Sequence, residues 1–386
     1  MTFIPSIIEK FQYYMPAELI FDIGSVKNIS SQNIKLGKKP LIVTGKKSSK
    51  INGALASLLT YYSNAVVFDN VEENPSIDTC EKAREYCIAK NCDWIIAVGG
   101  GSPIDVGKAV AGLATNEGPC EQYFGRDLFK QSPLPILAIP TTAGTGSEVT
   151  PYAVITNEKN VTKQTIADKR LFPKIALLDP SLTLTLSRDV TLSTALDALS
   201  QSLEGIVSKK ATPISDCIAI ESCKKIIEWL PVALREPDNI TARYWLLFAS
   251  LLSGIVIAQT GTTLVHALGY YYTLNYNVPH GIANALFLIP MFKRNIIFFP
   301  EKLRFVIEFL GEEYCKEHPE ISIKKALLRF FKDINFSCKS SSWGVPDNQL
   351  QIFSEQLYSD SYRFRNQHGA FSKKEIYNIF KETFEP

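Results

Sequence analysis

Short apolar runs alternate with amphipathic segments along the first half of the chain. Strands separated by helices of roughly 10 to 15 residues predict parallel β-α-β units and a doubly wound sheet. A helical pattern over 76–90 is one example of the amphipathic segments. The apolar runs, each bounded by Gly, Pro or Asp and each predicting a buried strand, are 41–45, 65–69, 94–101, 135–140 and 174–179.

The pattern changes after Pro180, where the strand runs stop and the apolar spacing becomes helical from Asp189 onward. We therefore expect an α/β domain over residues 1–184 and an all-helical domain over 185–386. A ligand cleft is expected where the two domains meet. The clearest helical stretches are 190–208, 215–234 and 242–258. The residues that predict loops between the helices are Pro213, Pro237, Pro279 and Pro290.

Composition narrows the possible classes of protein. The 386 residues are 46% hydrophobic, enough for a sizeable core, and the net charge of +2 argues against nucleic acid or an anionic membrane as the main partner. No apolar run reaches the roughly 18 to 20 residues of a membrane span, and Met1-Thr2-Phe3 opens without a signal-peptide pattern. The eight cysteines are scattered without a CxxC pair. A cytoplasmic, reducing location is expected.

Two segments suggest nucleotide binding. The turn GGGSPIDVGK at 99–108 follows a predicted strand, and glycines there would let backbone N–H groups approach a pyrophosphate at a helix N-terminus. It matches neither the G-x-G-x-x-G fingerprint nor a Walker A loop. The segment IPTTAGTGSEVT at 139–150 follows another strand and gathers hydroxyls and glycines in one turn. Either segment alone is compatible with an ordinary turn, but the two together favour a nucleotide.

A candidate metal site lies in the second half of the chain. Asp197 and Gln201 are one helical turn apart, so both side chains can point at one centre. His266 and His280 are two of only four histidines in the chain. An amide oxygen is a poor ligand for ions such as Zn²⁺ or Fe²⁺, which makes Gln201 the weak point of the set.

Four motifs, GGGSPIDVGK, PTTAGTGSEVT, LDALSQSLEG and HALGY…VPHG, occur in one order over nearly the whole chain. Together they resemble the iron-containing (group III) alcohol dehydrogenase family. The resemblance implies a Rossmann-like first domain, a helical second domain, and a nicotinamide (NADP or NAD) meeting a divalent metal, Fe or Zn, in the cleft. It implies hydride transfer between the nicotinamide and a small alcohol or aldehyde. A homodimer would be ordinary for such an enzyme.

The resemblance also assigns roles to positions. The implied pyrophosphate contacts are Gly100, Gly101 and Ser102, and further contacts along the cofactor are Thr141, Thr142 and Thr145. The implied contacts near the adenine and the ribose are Asn74 and Lys163, respectively. The implied metal ligands are Asp197, Gln201, His266 and His280.

Position 201 departs from the family, where a histidine is expected. Three alternatives remain open: weak ligation through the amide oxygen, a three-ligand site, or a catalytically impaired protein. A second departure is Tyr270, which stands where several members have a histidine four residues after the first histidine ligand. Tyr270, a metal-bound water or a ribose hydroxyl are then candidates for relaying the proton, and simple packing is an equal alternative for Tyr270.

The sequence gives partial indications of which nicotinamide cofactor and which substrate the protein uses. Gly45 ends a predicted strand and is followed by Lys46-Lys47-Ser48-Ser49 instead of a carboxylate, which predicts a preference for NADPH. Tyr152 matches a position near the family's substrate pocket. Arg363 and Arg365 could reach the cleft, although a solvated face is the simpler expectation for them. The competing functions are a dehydroquinate synthase-like lyase and a cofactor-binding protein with an impaired metal site.

Overall fold

The structure is a computed structural model that describes residues 10–386. Met1, Thr2 and Phe3, where the sequence shows no signal-peptide pattern, lie outside the described residues. The strands are β1 (Glu18–Phe21), β2 (Pro40–Gly45), β3 (Val66–Val71), β4 (Trp94–Gly99), β5 (Gly125–Arg126), β6 (Ile136–Pro140), β7 (Tyr152–Asn157), β8 (Thr162–Ala167) and β9 (Ile175–Leu178).

The helices divide into short ones among the strands and a large group after them. Those among the strands are α1 (Ile29–Gln32), α2 (Ser48–Ile51), α3 (Ala54–Tyr61), α4 (Ile77–Ala89) and α5 (Gly101–Leu113). Those that follow are α6 (Arg188–Val207), α7 (Pro213–Arg235), α8 (Ile240–Thr260), α9 (Leu264–Tyr276), α10 (His280–Leu286), α11 (Leu288–Asn295), α12 (Pro300–Phe309), α13 (Pro319–Asp333), α14 (Leu350–Ser359) and α15 (Lys373–Glu382).

The main sheet has six parallel strands in the order β1-β9-β6-β4-β2-β3. It contains all five strands that the apolar runs predict. Every residue of the central strand β4 is buried, as expected for a parallel sheet covered on both faces. With the helical half that follows, this confirms the expected fold class: a Rossmann-like α/β part and a helical part.

A second sheet was not expected from the sequence. β7 pairs antiparallel with β8, from Tyr152 opposite Ala167 to Asn157 opposite Thr162, and β5 pairs parallel with β8. Burial alternates along β7, so this strand lacks the continuous apolar run that marks the main sheet. The hairpin matters because it carries Tyr152 and Lys163.

The prolines mark helix starts more often than loops. Pro213 is the first residue of α7, and Pro279 is the residue that caps the N-terminus of α10. The loop predicted at Pro290 is wrong, because Pro290 lies in the first turn of α11. Proline is tolerated in a first turn, where its missing N–H has no partner inside the helix.

One helix within residues 10–386 is long and apolar enough to cross a membrane, judged by length and composition alone. It is α8, with a mean hydropathy of 1.7, so the expectation that no segment would reach this length was wrong. Buried positions make up 61% of its most apolar window, and it packs against α6 and α7 in the helical core. This is the environment of a core helix of a globular protein.

Two glycines bring the loop after β6 into backbone contact with the helical half. Gly146 has a φ of +58°, and a Cβ on it would lie 2.3 Å from the Cα of Gly254 on α8. Gly144 lies close to α6, since a Cβ there would be 2.7 Å from the Cβ of Thr194. The segment 141–150 therefore lies directly between the sheet and the helices.

Candidate metal and nucleotide site

Three helices bring one acidic and two histidine side chains together. Asp197 lies on α6, His266 on α9 and His280 at the start of α10, and one ligand atom from each lies within 4.8 Å of the others. Asp197 Oδ1 is 3.3 Å from His266 Nε2 and 3.7 Å from His280 Nε2. Asp197 and His266 are buried, while His280 is partly exposed toward the cleft.

The close approach of α10 to α6 depends on Gly281. A Cβ at this position would lie 1.8 Å from the backbone oxygen of Ser193 and 2.9 Å from the backbone nitrogen of Asp197. Only glycine therefore lets the start of α10 lie flat on α6. This contact fixes His280 beside Asp197.

Glu204 supports His266 and was missed by the sequence analysis. Its Oε2 contacts His266 Nδ1, and its Oε1 accepts hydrogen bonds from the backbone N–H and the hydroxyl of Thr263, each at 2.8 Å. A carboxylate on Nδ1 leaves Nε2 free to face the cluster and raises its basicity, as is typical of metal-bound histidines. The spacing Asp197, Gln201, Glu204 along one face of α6 could have revealed this role.

Asn284 lies one turn after His280 on α10 and was also missed. Its Nδ2 donates to Asp197 Oδ1 at 3.0 Å and lies 3.2 Å from His280 Nε2. It thus holds the carboxylate of Asp197 beside the imidazole of His280. No sequence signal identified it, because its contact with Asp197 spans 87 positions.

Gln201 contacts the cluster through its amide nitrogen. Nε2 donates to Asp197 Oδ2 at 3.2 Å and lies 3.4 Å from the backbone oxygen of Thr145, while Oε1 accepts from Ser253 Oγ at 2.9 Å. The two ends of an amide are assigned from such contacts, so the opposite orientation is reached by a simple rotation. Gln201 therefore adjoins the cluster, and its ligation of a metal stays a prediction.

Electrostatics suit a cation at this position. Burial acts to raise the pKa of Asp197, but the two histidines hold that pKa below its ordinary value. Burial acts to lower the pKa of His266, yet Glu204 and Asp197 raise it to about 10, so a positive charge is favoured there. Burial lowers the pKa of His280 to about 3, which leaves a neutral imidazole with a lone pair. One carboxylate and two imidazoles that converge in this way fit Fe²⁺ or Zn²⁺.

The two nucleotide segments meet at the carboxyl ends of β4 and β6. The backbone N–H of Thr141 donates to the backbone oxygen of Gly99 at 2.8 Å. A Cβ on Gly101 would lie 2.7 Å from the Cγ2 of Thr145, and a Cβ on Gly100 would lie 3.3 Å from the Oγ1 of Thr142. The lack of side chains at these two glycines thus lets the threonine loop pack against the start of α5. It also leaves space there, next to Ser102.

A buried lysine fixes the threonine loop to α5. Lys108 Nζ donates to Ser147 Oγ at 2.7 Å, to Thr150 Oγ1 at 3.0 Å and to the backbone oxygen of Tyr152 at 2.8 Å. Ser147 Oγ in turn donates to Asp105 Oδ1 at 2.6 Å. Burial lowers the pKa of Lys108 to about 8 and raises that of Asp105. This network gives Lys108 and Asp105 of the glycine motif a scaffolding role that the sequence analysis did not assign.

Asn74 and Lys163 meet beside the metal cluster. Lys163 Nζ donates to Asn74 Oδ1 at 2.8 Å and lies 5.2 Å from the centre of the Tyr270 ring. Tyr270 stacks on His280 with ring centres 5.3 Å apart and ring planes 15° apart. Burial lowers the pKa of Lys163 to about 8 and raises that of Tyr270 to about 12. The positions assigned to the cofactor therefore adjoin those assigned to the metal.

Gly45 lies at the carboxyl end of β2, next to β3. Lys46 and Lys47 after it are exposed and form no ion pair with any residue in 10–386. Lys50 nearby is different, because it pairs with Asp69 at 2.6 Å.

A parallel sheet with a glycine turn and a threonine loop at its carboxyl edge, facing a buried Asp-His-His cluster on a helical domain, fits the class of metal-dependent nicotinamide dehydrogenases that the sequence motifs resemble. The chain belongs to the iron-containing alcohol dehydrogenase family. Residues 16–180 match the family described as iron-containing alcohol dehydrogenase, and residues 191–384 match its C-terminal domain. It is an oxidoreductase that acts on CH–OH groups, in a family that uses NAD(H) and iron.

The similarity to individual proteins extends over the whole chain. The 1,3-propanediol dehydrogenase of Citrobacter freundii is 34% identical over 385 residues, which cover 97% of this chain and 99% of that protein. The crystal structure of a 1,3-propanediol oxidoreductase matches with a TM-score of 0.91 at 31% identity, covering 97% of this chain and all of that one. An iron-containing alcohol dehydrogenase from Thermotoga maritima matches with a TM-score of 0.86 at 37% identity, covering 98% and 100%.

Proposed function

We propose that this protein reduces small aldehydes, and oxidises the matching alcohols, at the Asp197-His266-His280 cluster beside Tyr270. The observation that carries the proposal is the convergence of three ligand atoms within 4.8 Å, beside the Asn74-Lys163 pair. When bound, the divalent metal supplies a Lewis acid for the substrate oxygen and the nicotinamide supplies or accepts the hydride.

The residues of the chain have distinct roles in this proposal. Asp197, His266 and His280 hold the ion, and Glu204 keeps the Nε2 of His266 directed at it. The hydroxyl of Tyr270 is our choice of proton donor in aldehyde reduction. Its raised pKa, about 12, keeps the hydroxyl protonated near neutral pH, so it holds a proton that it can donate to the developing alkoxide.

The cofactor assignments follow the two nucleotide segments. Gly100, Gly101 and Ser102 lie at the N-terminus of α5, where backbone N–H groups and the helix dipole favour a pyrophosphate. Thr141, whose buried Oγ1 has no hydrogen-bond partner among residues 10–386, lies next to them with Thr142 and Thr145. Lys163 then faces the ribose, and Asn74, which the resemblance assigns to the adenine side, lies beside Lys163 and accepts its hydrogen bond. These contacts leave the nicotinamide end toward Tyr270.

For Gln201 we propose ligation through the amide oxygen after rotation of the amide. Rotation would direct Oε1 at the cluster and let Nε2 donate to Ser253 Oγ. Ser253 could accept this bond because its own hydrogen is satisfied by the backbone oxygen of Ser250 at 2.8 Å. Rotation would also break the hydrogen bonds from Nε2 to Asp197 Oδ2 and to the Thr145 backbone oxygen, and would turn Oε1 toward the Asp197 carboxylate. A cation bound between these oxygens would therefore favour this orientation.

The test is the metal content and metal affinity of the purified protein. We expect about one Fe or Zn per chain by elemental mass spectrometry, with Gln201→His binding metal about 10- to 100-fold more tightly in a chelator competition. Gln201→Met, of similar size and without an amide, is the control and should bind more weakly. A protein that cannot be loaded with metal would favour the alternative of a cofactor-binding protein with an impaired site, and equal affinities in all three would refute ligation by Gln201.

For the cofactor we propose a preference for NADPH over NADH. The support is the pair Lys46 and Lys47, which are exposed, form no ion pair with residues 10–386, and follow β2 where a carboxylate would select NAD. Lys50 is the matched control, since Asp69 neutralises it. Lys46→Gln with Lys47→Gln should lower the NADPH/NADH ratio of kcat/KM about tenfold or more, and Lys50→Gln should not. A higher kcat/KM with NADH in the parent protein would refute the preference.

Further assignments complete the proposal. A domain boundary between 184 and 185 is supported by the end of β9 at Leu178 and the start of α6 at Arg188. A cytoplasmic location is supported by the cysteines, all eight of which are free thiols. A homodimer is proposed because homodimers are common among such enzymes, and a measurement of the molecular mass of the protein in solution tests it.

A further inference from the structure

Cations from both halves of the chain gather at one side of the cleft. We call the group Arg126, Lys210, Arg363 and Arg365 the basic rim. Arg126 ends β5 in the second sheet, Lys210 follows α6, and the two other arginines lie in or next to the short turn Ser361–Phe364. Segments far apart in sequence thus bring four positive charges to one region.

The rim adjoins the reacting end of the cleft through Tyr270. The guanidinium carbon of Arg363 lies 5.5 Å from the centre of the Tyr270 ring. The same ring stacks on His280, one of the metal-binding residues. Arg363 is therefore separated from the metal cluster by a single aromatic side chain. The expectation of a solvated face is wrong for Arg363, which is half-buried, and is confirmed for Arg365, which is exposed.

The charges of the rim are not balanced by acids. Arg363 pairs with Asp360 at 3.1 Å. Arg126, Lys210 and Arg365 have no carboxylate partner within residues 10–386. Arg170 differs, because it pairs with Asp168 at 2.7 Å. The backbone N–H of Lys209 donates to the backbone oxygen of Asn366 at 2.9 Å, which places Lys210 beside Arg365. Burial lowers the pKa of Lys210, and the charges of Arg126 and Arg365 lower it further.

The cofactor does not account for these cations. Its phosphates are assigned to the glycine turn at the start of α5 and to Lys46 and Lys47 after β2. The rim lies instead beside Tyr152 and Tyr270: Arg126 and Tyr152 flank Ala167 in the second sheet, and Arg363 lies against the Tyr270 ring. Unpaired cations at this end of the cleft favour an anion supplied by the other reactant.

We infer that the basic rim binds the anionic end of the substrate, which is a short-chain aldehyde or alcohol carrying a carboxylate, sulfonate or phosphonate group at the end opposite the reacting carbon. This inference rests on the proposed function of the cleft. Arginine forks match the paired oxygens of these three groups. The reaction is unchanged: the nicotinamide hydride adds to the carbonyl carbon, one proton adds to the oxygen, and the anionic group takes no part in bond making.

The first test compares substrates that differ mainly in charge. With metal-loaded protein and NADPH, 4-oxobutanoate should be reduced with a kcat/KM at least about 100-fold above that of butanal, and added salt should narrow the difference. Arg365→Gln should reduce this ratio about 10- to 100-fold, the usual effect of losing one charge-assisted bond. Arg235→Gln is the matched control, because Arg235 is an exposed cation at the end of α7 that forms no ion pair with residues 10–386.

The second test measures binding without turnover. Calorimetry of metal-loaded protein with NADP⁺ should show binding of 4-hydroxybutanoate at least about tenfold tighter than that of butane-1,4-diol, and Arg365→Gln should abolish the difference. If the protein binds the anion but reduces no aldehyde, the result would support anion binding by the basic rim and refute the proposed function. Efficient reduction of butanal with no preference for the anion in either test would refute the rim and uphold the proposed function.

Discussion

Replacing Gly281 by alanine is expected to weaken metal binding more than it weakens the overall stability of the fold. The new Cβ would lie 1.8 Å from the backbone oxygen of Ser193, and this atom cannot rotate away as a side chain could. Ordinary contact would require the start of α10 to move by roughly 1.5 Å. Alanine gains about 1 kcal/mol over glycine in helix propensity, whereas overpacking costs about 1–3 kcal/mol. A modest net destabilisation is expected.

The effect on the metal should be larger than the effect on folding. His280 is next to Gly281, so a shift of α10 carries its imidazole away from Asp197. Metal–ligand distances tolerate only about 0.2 Å, and we therefore expect metal affinity to fall by at least about tenfold. Competition with a chromophoric chelator measures the affinity, and urea unfolding of the metal-free protein measures the stability.

Gly112→Ala is the matched control. A Cβ at Gly112 on α5 would lie 2.1 Å from the Cζ of Phe129, so this change strains the core of the α/β half by a similar overlap. It should destabilise the fold and leave metal affinity unchanged. The argument fails if Gly281→Ala binds metal as tightly as the parent protein, or if Gly112→Ala loses as much affinity as Gly281→Ala.

Three further outcomes test the site. Glu204→Gln should weaken metal binding about 10- to 100-fold. The NH₂ end of the new glutamine amide would have to face either His266 Nδ1 or the Thr263 N–H, where the carboxylate now accepts. Unchanged affinity in chelator competition would contradict this prediction. Burial places the pKa of Lys163 at about 8, so its charge is present below that pH and lost above it. The KM for the nicotinamide should thus rise up to about tenfold between pH 7 and 9, and Lys163→Arg should flatten the profile. Tyr270→Phe should lower kcat about 100-fold or more in stopped-flow single turnovers if its hydroxyl donates the proton, and an unchanged rate would exclude that role.

The main sheet could be predicted because its strands are buried on both faces and leave continuous apolar runs. The hairpin of β7 and β8 could not, since burial alternates along β7 and only the last two residues of β8 are buried. Its main feature, Lys163, resembles a surface lysine in sequence. Its partner Asn74 is 89 positions away. Local sequence patterns indicate which residues are buried, but they do not indicate which distant segment will pack beside them.

The residues of the site also include some that the sequence could place together and others that it could not. Asp197 and Gln201 share a helix face, so spacing alone could place them together, and Glu204 two turns along the same face could have been added. Asn284 and Ser253 could not, because they reach the cluster only through the packing of α10 and α8 against α6. The resemblance to a known family supplied the link between the histidines and α6 that spacing could not.

The position of the threonine loop has a thermodynamic consequence. On one side it presents Thr142 and Thr145 to the glycine turn, and on the other side Gly144 lies against α6 and the backbone oxygen of Thr145 lies near Gln201. A ligand that holds this loop in place also orders the helix that carries Asp197. Linkage is reciprocal, so metal and nucleotide should each raise the affinity for the other, typically by about 5- to 150-fold for such coupling. A binding constant for either one therefore has meaning only when the occupancy of the other is stated.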